Sequence, residues 1–335
     1  MSQTIEKVRW GILGYARIAR ENVIPAILRA DHSVFHALAS RDANKLAEAR
    51  TRFDFARSYG TYVDLLCDPD VDAVYIPLPN ALHVPWTLEA AAHGKHVLCE
   101  KPLALSSADC ERAMVACAAH GVTLMEAFMV RYTARTAAIV NVLRSGDLGE
   151  IRFIQAEYRF RLSNPASIKL NPELGGGALY DVGCYGVDLV GLVTDEIAKR
   201  ISGQSDAMGP NPESVAVANV QEGDVDVSLS ALLKYPGGLV AALHCGFNSE
   251  KRIFAEIVGT EGVLEIPDWV SGDAGALTLT TASGRREIPF DASDRYRLEI
   301  EGFVDAVRGR SSPRVRLVET ARNARVLERI FAAIR

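Results

Sequence analysis

The sequence predicts an α/β protein in which a doubly wound parallel sheet is followed by an α+β domain with an antiparallel sheet. Up to about residue 128, short apolar strands alternate with helical segments, which is typical of parallel strands joined by crossover helices. From about residue 130, strands with period-two patterning follow one another through short turns, which favours antiparallel pairing. A length of 335 residues accommodates two domains. We place them at residues 1–128 and 129–335, with the C-terminal helices packing back on the first domain.

The composition is that of an ordinary globular protein and argues against several kinds of partner. The chain has 48% hydrophobic and 24% charged residues and a net charge of −5, which gives no general attraction to nucleic acid or an anionic membrane. No apolar run is long enough to span a bilayer, and the polar start Met1 to Arg9 leads directly into a strand, so we expect no signal peptide. The six cysteines lack paired metal-type spacing, which predicts reduced thiols, a cytoplasmic protein and no metal site.

A strand, a tight turn and a helix open the chain. The strand is Val8–Leu13, and the helical pattern runs through Ala30. The turn between them matches the G-x-G-x-x-G dinucleotide-binding fingerprint in part, because alanine takes the second and third glycine places. Alanine is still small enough for a pyrophosphate to approach the backbone, and the helix start supplies amides and positive charge. The residues expected at the pyrophosphate are Gly14, Tyr15, Ala16, Arg17 and Ile18.

The end of the second strand predicts which dinucleotide binds. NAD enzymes usually place an acid here, on the ribose 2′-hydroxyl. After Val34–Ala39 this chain has Ser40 and Arg41, a hydroxyl and a guanidinium that suit a 2′-phosphate. Lys45, one turn into the next helix, can add a contact, and Asp42 is most simply the N-cap of that helix. We therefore predict NADP over NAD; the alternative is that Arg41 is only a solvated loop residue.

The next strand, Asp72–Ile76, ends in a stiff loop with two prolines. Its carboxyl end lies beside the predicted cofactor, so Pro77, Leu78 and Asn80 are expected to contact it. His83 follows this loop. It either reaches the ribose or nicotinamide, or it only begins the next helix and has no ligand.

The stretch from His96 to Pro102 is a short apolar strand that ends in Glu100 and Lys101. In an open parallel sheet, ligands bind at the carboxyl ends of the strands. Packing explains a lysine poorly at this place, since charged groups are rarely buried unless they are paired. We therefore expect Glu100 and Lys101 beside the nicotinamide; the alternative is a strand cap with a surface lysine.

A second group of polar side chains follows three consecutive glycines at 175–177. If this segment is helical, Asp181, Tyr185 and Asp188 are spaced i, i+4, i+7 and share one face. Two carboxylates and a phenol can hydrogen-bond a polyhydroxy compound and move a proton. The alternative is a polar stripe that faces solvent.

Four motifs occur in one order along the chain: Gly-Ile-Leu-Gly, Ser-Arg, Glu-Lys-Pro and Gly-Gly-Gly-Ala-Leu-Tyr-Asp-Val-Gly-Cys-Tyr. Together they resemble the glucose-fructose oxidoreductase / inositol dehydrogenase / rhizopine catabolism (Gfo/Idh/MocA) family of NAD(P)-dependent oxidoreductases. Inositol-type members carry histidine where this chain has Tyr185, so the sugar and dihydrodiol dehydrogenases are more similar. The resemblance implies a Rossmann domain and an α+β domain with a large, mostly antiparallel open sheet, through which members form homodimers or homotetramers. It also implies a cis peptide between Lys101 and Pro102.

The motifs predict an NADP-dependent enzyme that transfers a hydride between nicotinamide and a hydroxyl or carbonyl carbon of a small-molecule sugar or related polyhydroxy compound, such as xylose or glucose. Tyr185 is the preferred general base, Lys101 stabilises charge on the substrate oxygen and Asp181 orients the substrate; alternatively, Lys101 carries the proton. A trans-dihydrodiol dehydrogenase, an anhydro-sugar reductase and a non-catalytic NADP-binding sensor or scaffold stay open as alternatives. His244 is expected in the sheet rather than in the pocket. The pocket lining is expected to include Arg131, Tyr158, Phe160, Asn164 and Asp188.

Overall fold

The computed structural model describes residues 6–334, and the chain forms two compact units. The first unit runs to Ala104, resumes over Ala108–Met129 and takes in Asp294–Thr320. The second unit comprises Leu105–Ser107, Val130–Ser293 and the chain from Ala321 onward. The polar start that is predicted to precede the first strand lies mostly outside the described residues.

A six-stranded parallel sheet forms the centre of the first unit. Its strands are β1 (Val8–Leu13), β2 (Ser33–Ala39), β3 (Arg57–Tyr59), β4 (Ala73–Ile76), β5 (His96–Glu100) and β6 (Leu124–Ala127). They lie in the order β3-β2-β1-β4-β5-β6. This is the doubly wound Rossmann sheet that the alternating pattern predicts, and that prediction is confirmed.

Helices cover this sheet and connect its strands. The α-helices of the chain are α1 (Ile24–Arg29), α2 (Ala43–Arg52), α3 (Tyr62–Leu66), α4 (His83–Ala92), α5 (Ser107–Ala119), α6 (Ala134–Ser145), α7 (Cys184–Ser202), α8 (Arg295–Val307) and α9 (Leu317–Ala332). A π-helical turn precedes α1 at Ala19–Val23 and another precedes α7 at Leu179–Gly183. Within residues 6–334, no helix combines the length and the apolar character needed to cross a lipid bilayer.

An eight-stranded sheet forms the centre of the second unit. Its strands are β7 (Ile151–Arg161), β8 (Ser214–Glu222), β9 (Val225–Lys234), β10 (Val240–Gly246), β11 (Asn248–Gly259), β12 (Gly262–Pro267), β13 (Gly275–Thr281) and β14 (Gly284–Phe290). The order is β14-β13-β12-β11-β7-β10-β9-β8. All neighbours pair antiparallel except β7 and β10, which are parallel. The predicted large, mostly antiparallel open sheet is thus confirmed.

Helix α7 packs closely on the middle of this second sheet. A Cβ atom added to Gly186 would lie 3.1 Å from Leu243 on β10 and 3.5 Å from Ala156 on β7. Glycine therefore lets the helix backbone approach the sheet, and this contact fixes the height of the neighbouring Tyr185 above it.

The C-terminal helices differ in where they pack. Phe303 of α8 stacks on Trp10 of β1 in the first unit, with ring centres 5.2 Å apart. Helix α9, by contrast, belongs to the second unit from Ala321 onward, where Arg322 pairs with the buried Asp195 of α7. A buried carboxylate needs such a donor, so this pair holds α9 on α7 within the second unit, whereas the sequence predicts that both C-terminal helices pack on the first domain.

Candidate active site

The first strand-to-helix turn is shaped for close approach to the backbone. Gly14 has φ +103°, a left-handed conformation that glycine adopts readily. Its N–H donates to the Ala39 carbonyl at 2.8 Å, and an added Cβ would lie only 3.0 Å from Leu78. The helix that follows begins as the π-turn Ala19–Val23, with the Ile24 N–H donating to the Ala19 carbonyl. A side chain at position 14 would fill this cradle, so the turn fits a dinucleotide pyrophosphate.

The end of β2 presents positive charge at the surface. Asp42 is the N-cap of α2, as predicted: its Oδ1 accepts from the Asn44 N–H at 2.9 Å and the Lys45 N–H at 3.4 Å. Ser40 is buried and its Oγ accepts from the Asp42 N–H at 3.2 Å. Arg41 and Lys45 are exposed. Two cations therefore flank a preformed turn, and their contact with a 2′-phosphate stays a prediction.

The structure places His83 at the start of α4, in agreement with the second of the two alternatives that the sequence leaves open. Its imidazole is fully buried, with Nδ1 2.8 Å from the Pro102 carbonyl and Nε2 2.8 Å from the Leu78 carbonyl. Both ring nitrogens thus face backbone, and neither faces a ribose or nicotinamide. Burial lowers the pKa of His83, the two carbonyls oppose that shift, and Lys101 adds to it. The ring joins the loop after β4 to the segment that follows Lys101.

Glu100 and Lys101 are held at the carboxyl end of β5 by a set of hydrogen bonds, partly shielded from solvent. The hydroxyl of Tyr75, on the neighbouring strand β4, donates to Glu100 Oε1 at 2.6 Å. The Lys101 N–H donates to Glu100 Oε2 at 3.3 Å, and the peptide between Lys101 and the next proline is cis, as predicted. Two residues on, the Leu103 N–H donates to Glu126 Oε1 at 2.8 Å. Glu126 is buried on β6 and Glu100 is half-buried on β5, so one acid from each of two neighbouring strands holds the segment that carries the lysine.

In the second unit, Tyr185 belongs to a continuous group of rings that we call the aromatic cluster: Tyr158, Phe160, Tyr185, Phe247 and Trp269. The ring centre of Tyr185 lies 5.9 Å from that of Tyr158 and 6.5 Å from that of Trp269. Tyr158 and Phe160 in turn lie 6.2 Å apart, and Phe160 and Phe247 lie 5.3 Å apart. The Trp269 indole Nε1 is buried, and no acceptor reaches it in the described part of the chain. The structure therefore brings Tyr158, Phe160 and Tyr185 together, and their contact with a substrate stays a prediction.

Asp181 is paired with a lysine that the sequence interpretation missed. Lys169 donates to Asp181 Oδ2, and its Nζ also lies 5.1 Å from the Phe160 ring centre and 5.9 Å from the Phe247 ring centre. Asp181 lies within the π-turn and not in a regular α-helix. Because a π-turn shifts the angular spacing of side chains, the predicted i, i+4, i+7 face does not hold as stated.

Asp188 and Arg131 form an ion pair, and their place in the pocket lining stays a prediction. Both are buried, and Asp188 Oδ1 accepts from Arg131 Nη1 at 3.0 Å and from Asn323 Nδ2 at 3.2 Å. They form a structural ion pair inside the second unit.

Two further candidates have local partners. The Asn164 Oδ1 accepts from the Ala166 N–H at 3.0 Å, so this exposed side chain shapes its own loop. His244 lies on β10 with Nδ1 2.9 Å from Ser230 Oγ on β9, which confirms it as a sheet residue.

One cluster in the described residues has the spacing of a metal site: His36, Asp68 and Asp70. Its carboxylates already have partners, because Asp68 pairs with Arg57 and accepts from the Tyr59 hydroxyl, and Asp70 pairs with Arg57 and with Arg9. Arginine neutralises the charge that a cation would need, so the cluster is explained without a metal.

The first unit has the architecture of a dinucleotide-binding domain, and a lysine stands at the ligand-binding edge of its sheet. This combination defines the class of the protein as a pyridine-nucleotide-dependent oxidoreductase. The comparison with family models agrees. Residues 8–128 match the model of the GFO_IDH_MocA oxidoreductase family with an NAD-binding Rossmann fold, and residues 136–265 match the GFO/IDH/MocA C-terminal domain. The chain belongs to the Gfo/Idh/MocA family of oxidoreductases, as the sequence motifs predict.

Known proteins resemble the chain over most of its length. The D-xylose 1-dehydrogenase (NADP(+)) 2 of Haloferax volcanii is 34% identical over 96% of this chain and 96% of its own. The trans-1,2-dihydrobenzene-1,2-diol dehydrogenase of Mus musculus is 33% identical over 77% of this chain and 74% of its own. Among solved structures, the 3-ketoreductase KijD10 from Actinomadura kijaniata, in complex with NADP and TDP-benzene, superposes with a TM-score of 0.87. Its identity is 28%, and 98% of each chain is covered.

Proposed function

We propose that the protein is an NADP-dependent oxidoreductase that transfers a hydride between nicotinamide and a hydroxyl or carbonyl carbon of a sugar or related polyhydroxy compound. An aldose such as xylose or glucose is the preferred substrate. The observation that carries the proposal is the part-buried hydrogen bonding of Glu100, which places Lys101 at the carboxyl edge of a dinucleotide-binding sheet. The similarity to an NADP-dependent xylose dehydrogenase supports the choice of cofactor and of substrate class.

In this proposal the cofactor is held by the turn at Gly14, by Arg41 and Lys45, and by the loop of Pro77, Leu78 and Asn80. When bound, NADP supplies the acceptor for the substrate hydride. Ser40 fixes the backbone of the turn through its bond to Asp42. His83 positions the loop and the lysine segment together through its two carbonyl contacts.

The proton is handled by the chain's own side chains. We assign Tyr185 as the base that takes the hydroxyl proton, because it projects from a helix fixed by close packing and is surrounded by the aromatic cluster. Lys101 stabilises the charge that develops on the substrate oxygen. In the alternative assignment, Lys101 takes the hydroxyl proton in place of Tyr185. Asp181 and Lys169 form an ion pair at the edge of the aromatic cluster that can orient neighbouring substrate hydroxyls.

The direct experiment is a spectrophotometric assay of the purified protein with NADP and a panel of aldoses and polyols. We expect absorbance of reduced nicotinamide to grow with an aldose, and Tyr185→Phe and Lys101→Ala each to lower kcat by roughly a hundredfold or more with little change in cofactor affinity. Tyr180→Phe is the matched control, because Tyr180 is a buried tyrosine to which the mechanism gives no task, and its hydroxyl donates to the Leu105 carbonyl at 3.0 Å. A variant of Tyr185 or Lys101 with near-normal turnover would remove that residue from the mechanism.

A trans-dihydrodiol dehydrogenase is the second candidate, and the aromatic cluster is the observation that favours it. Rings stack on a planar cyclohexadiene-type diol as well as on a pyranose. The Trp269 indole N–H, which has no acceptor within residues 6–334, instead favours a sugar, because a polyol offers oxygen atoms at more positions than a diol does. Adding a cyclic aromatic diol and an anhydro-sugar to the panel decides between these classes by their kcat/KM values. Binding of NADP without turnover of any of them would favour the sensor or scaffold.

We further propose that the protein acts as a homodimer or homotetramer in a reducing, cytoplasmic environment. Val220 on β8 and Leu232 on β9 are exposed apolar side chains on strands of the open sheet, and all six cysteines are free thiols. Light scattering coupled to size-exclusion chromatography tests the assembly, since a monomer mass at micromolar concentration contradicts it.

A further inference from the structure

Glu299 is a buried carboxyl group to which the mechanism gives no task. It lies on α8 with 1% of its surface exposed. Its Oε1 is buried and, within the described residues, receives no hydrogen bond. An ionised carboxylate taken out of water without donors is costly, whereas a protonated one is far less so.

Several titratable groups face Glu299 from the elements packed around it. Burial raises its pKa well above the usual value, Glu100 raises it further, and Arg295 opposes both. The same neighbourhood raises the pKa of Tyr296 to about 12, chiefly by burial, and that phenol senses Glu100, Glu299 and Lys101 together. The groups that interact with Glu299 are Tyr75 from β4, Glu100 from β5, and Arg295 and Tyr296 from α8 itself, and Lys101, from the segment after β5, interacts with Tyr296.

Glu100 and Glu299 are unequal partners. Glu100 accepts from the Tyr75 hydroxyl at 2.6 Å and from the Lys101 N–H at 3.3 Å, and both bonds favour its charged form. The buried Oε1 of Glu299 has no such bond. When two neighbouring carboxyl groups interact, the proton stays on the one that is more deeply buried and has fewer donors, and here that is Glu299.

We propose that Glu299 is a neutral carboxylic acid in the native protein and acts as a positioning residue. Because Glu299 stays protonated, Glu100 is the only one of these two acids that carries a negative charge next to Lys101. The inference about the protonation of Glu299 depends only on residues of the first unit. Its consequence for turnover rests on the proposed function, through Lys101.

The protonation state is tested by infrared spectroscopy on the protein without cofactor, at about pH 8, where ordinary acids are ionised. We expect wild type to show the carbonyl band of a protonated carboxylic acid and Glu299→Gln to lack it. Glu301→Gln is the matched control, because Glu301 lies two residues away on α8, partly exposed and paired with Arg297. That control should keep the band. Absence of the band in wild type, or its survival in Glu299→Gln, overturns the proposal.

Stability gives a second reading with a definite sign. An acid whose folded pKa is raised binds more protons in the folded than in the unfolded state, so stability falls as pH rises above the unfolded pKa of about 4.3. Glutamine cannot ionise and lacks this loss. The Tm of Glu299→Gln minus that of wild type should therefore become more positive from about pH 5 to about pH 8. An ionised Glu299 paired with Arg295 would give the opposite trend.

Turnover separates this inference from the proposed function. Glu299→Ala should lower kcat by about tenfold, the effect of one unit in the pKa of a reacting group, with the KM for NADP unchanged. Glu299→Gln, a neutral isostere, should recover most of that loss, which it could not do if a carboxylate charge were needed. If no substrate is turned over, the proposed function fails while the infrared and stability results still stand.

Discussion

At the scale of single residues, the sequence predicts which groups carry chemistry but not what holds them. Lys101 stands out because it is a charged residue at the end of an apolar strand. Tyr185 stands out because it follows a glycine-rich stretch. The partners of Lys101's segment come from β4, β6 and α8, which are distant in sequence, and only folding reveals Tyr75, Glu126 and Glu299 beside it. Glu126 did carry a signal, since an acid inside the apolar stretch that forms β6 is unusual in a core.

The same limit applies to two residues that the sequence interpretation assigns to the pocket, because the sequence does not reveal their partners in the fold. Asp188 and Arg131 have no evident ion-pair partner close to them in the sequence, and the sequence interpretation therefore assigns them to a ligand. The structure supplies each with the other, together with Asn323. Lys169 was missed for the converse reason, since a lysine in a polar loop gives no sign that it will meet Asp181.

Arg41 should decide the preference for NADP. A guanidinium on a phosphate makes charge-assisted hydrogen bonds worth about 1.5–3 kcal/mol, so Arg41→Ala should raise the KM for NADP by about tenfold or more. The KM for NAD, which has no 2′-phosphate, should change little. Steady-state kinetics with both cofactors measures this, and Arg112→Ala, an exposed arginine on α5 paired with Asp109, is the control. An equal effect on both cofactors would mean that Arg41 does not read the phosphate.

His83 should make stability depend on pH in the acid range. Its folded pKa is lowered by burial, so the unfolded chain binds the proton more readily, and stability falls as pH drops below the unfolded pKa of about 6.5. Glutamine does not titrate, and its flexible amide does not reproduce the geometry of the ring between its two carbonyls. His83→Gln should cost about 1–3 kcal/mol at neutral pH, because the buried imidazole N–H bond to a carbonyl and the packing of the ring are lost, and the gap to wild type should narrow toward about pH 5.

Thermal unfolding across this pH range measures the effect. His120→Gln, at an exposed position, should show neither the loss at neutral pH nor the narrowing. A gap that widens in acid would mean that the imidazole is held as the cation.

At the scale of elements, apolar patterning predicts the strands that are buried on both faces and misses those that are not. The strands β1, β4 and β5 are nearly continuous apolar runs and are predicted within one or two residues. Strand β3 is short and mostly exposed, and β14 has three consecutive exposed charged residues, so neither strand has a hydrophobic run that would reveal it in the sequence. The π-turn before α7 has no sequence signature of its own, since it depends on the packing of Leu179–Gly183.

The contact of α7 with the second sheet should be sensitive to one methyl group. A Cβ at position 186 meets Leu243 at 3.1 Å, so Gly186→Ala should cost about 1–3 kcal/mol of stability and lower kcat by moving Tyr185. Pairing it with Leu243→Ala makes room, and the double variant should lose less than the sum of the two single changes.

Chemical denaturation of the four proteins in this cycle gives the coupling energy. Gly60→Ala is the control, because a Cβ there meets no atom within 4 Å. Additive losses would show that the helix does not rest on the sheet through this glycine.

At the scale of the whole molecule, the composition and motifs predict the two-part architecture, and the family resemblance supplies the large open sheet. What they do not predict is that the first unit is discontinuous. Residues Asp294–Thr320 return to it after the entire second sheet has been formed by the intervening chain. No local pattern signals this, because α8 is an ordinary amphipathic helix whose apolar face fits any sheet.

A fragment of residues 1–129 should therefore not fold to a native state. It lacks α8, whose Phe303 and Ile300 are fully buried, and it exposes Trp10, which is fully buried in the complete unit. We expect such a fragment to lose near-ultraviolet circular dichroism, to bind a hydrophobic dye and to show no thermal shift with NADP.

Rejoining residues 294–320 through a flexible linker should recover all three properties. A cooperative unfolding transition of the short fragment on its own would contradict the role given to α8.

The late return of α8 also governs when the unit is completed during protein synthesis. Domains near the amino terminus usually fold first as they leave the ribosome, at roughly 5–20 residues per second. Here the nascent chain must wait roughly ten to thirty-five seconds after Met129 before α8 is made. Throughout that interval Trp10 lacks its cover, so a newly made chain has most need of chaperone protection while its second sheet is being translated.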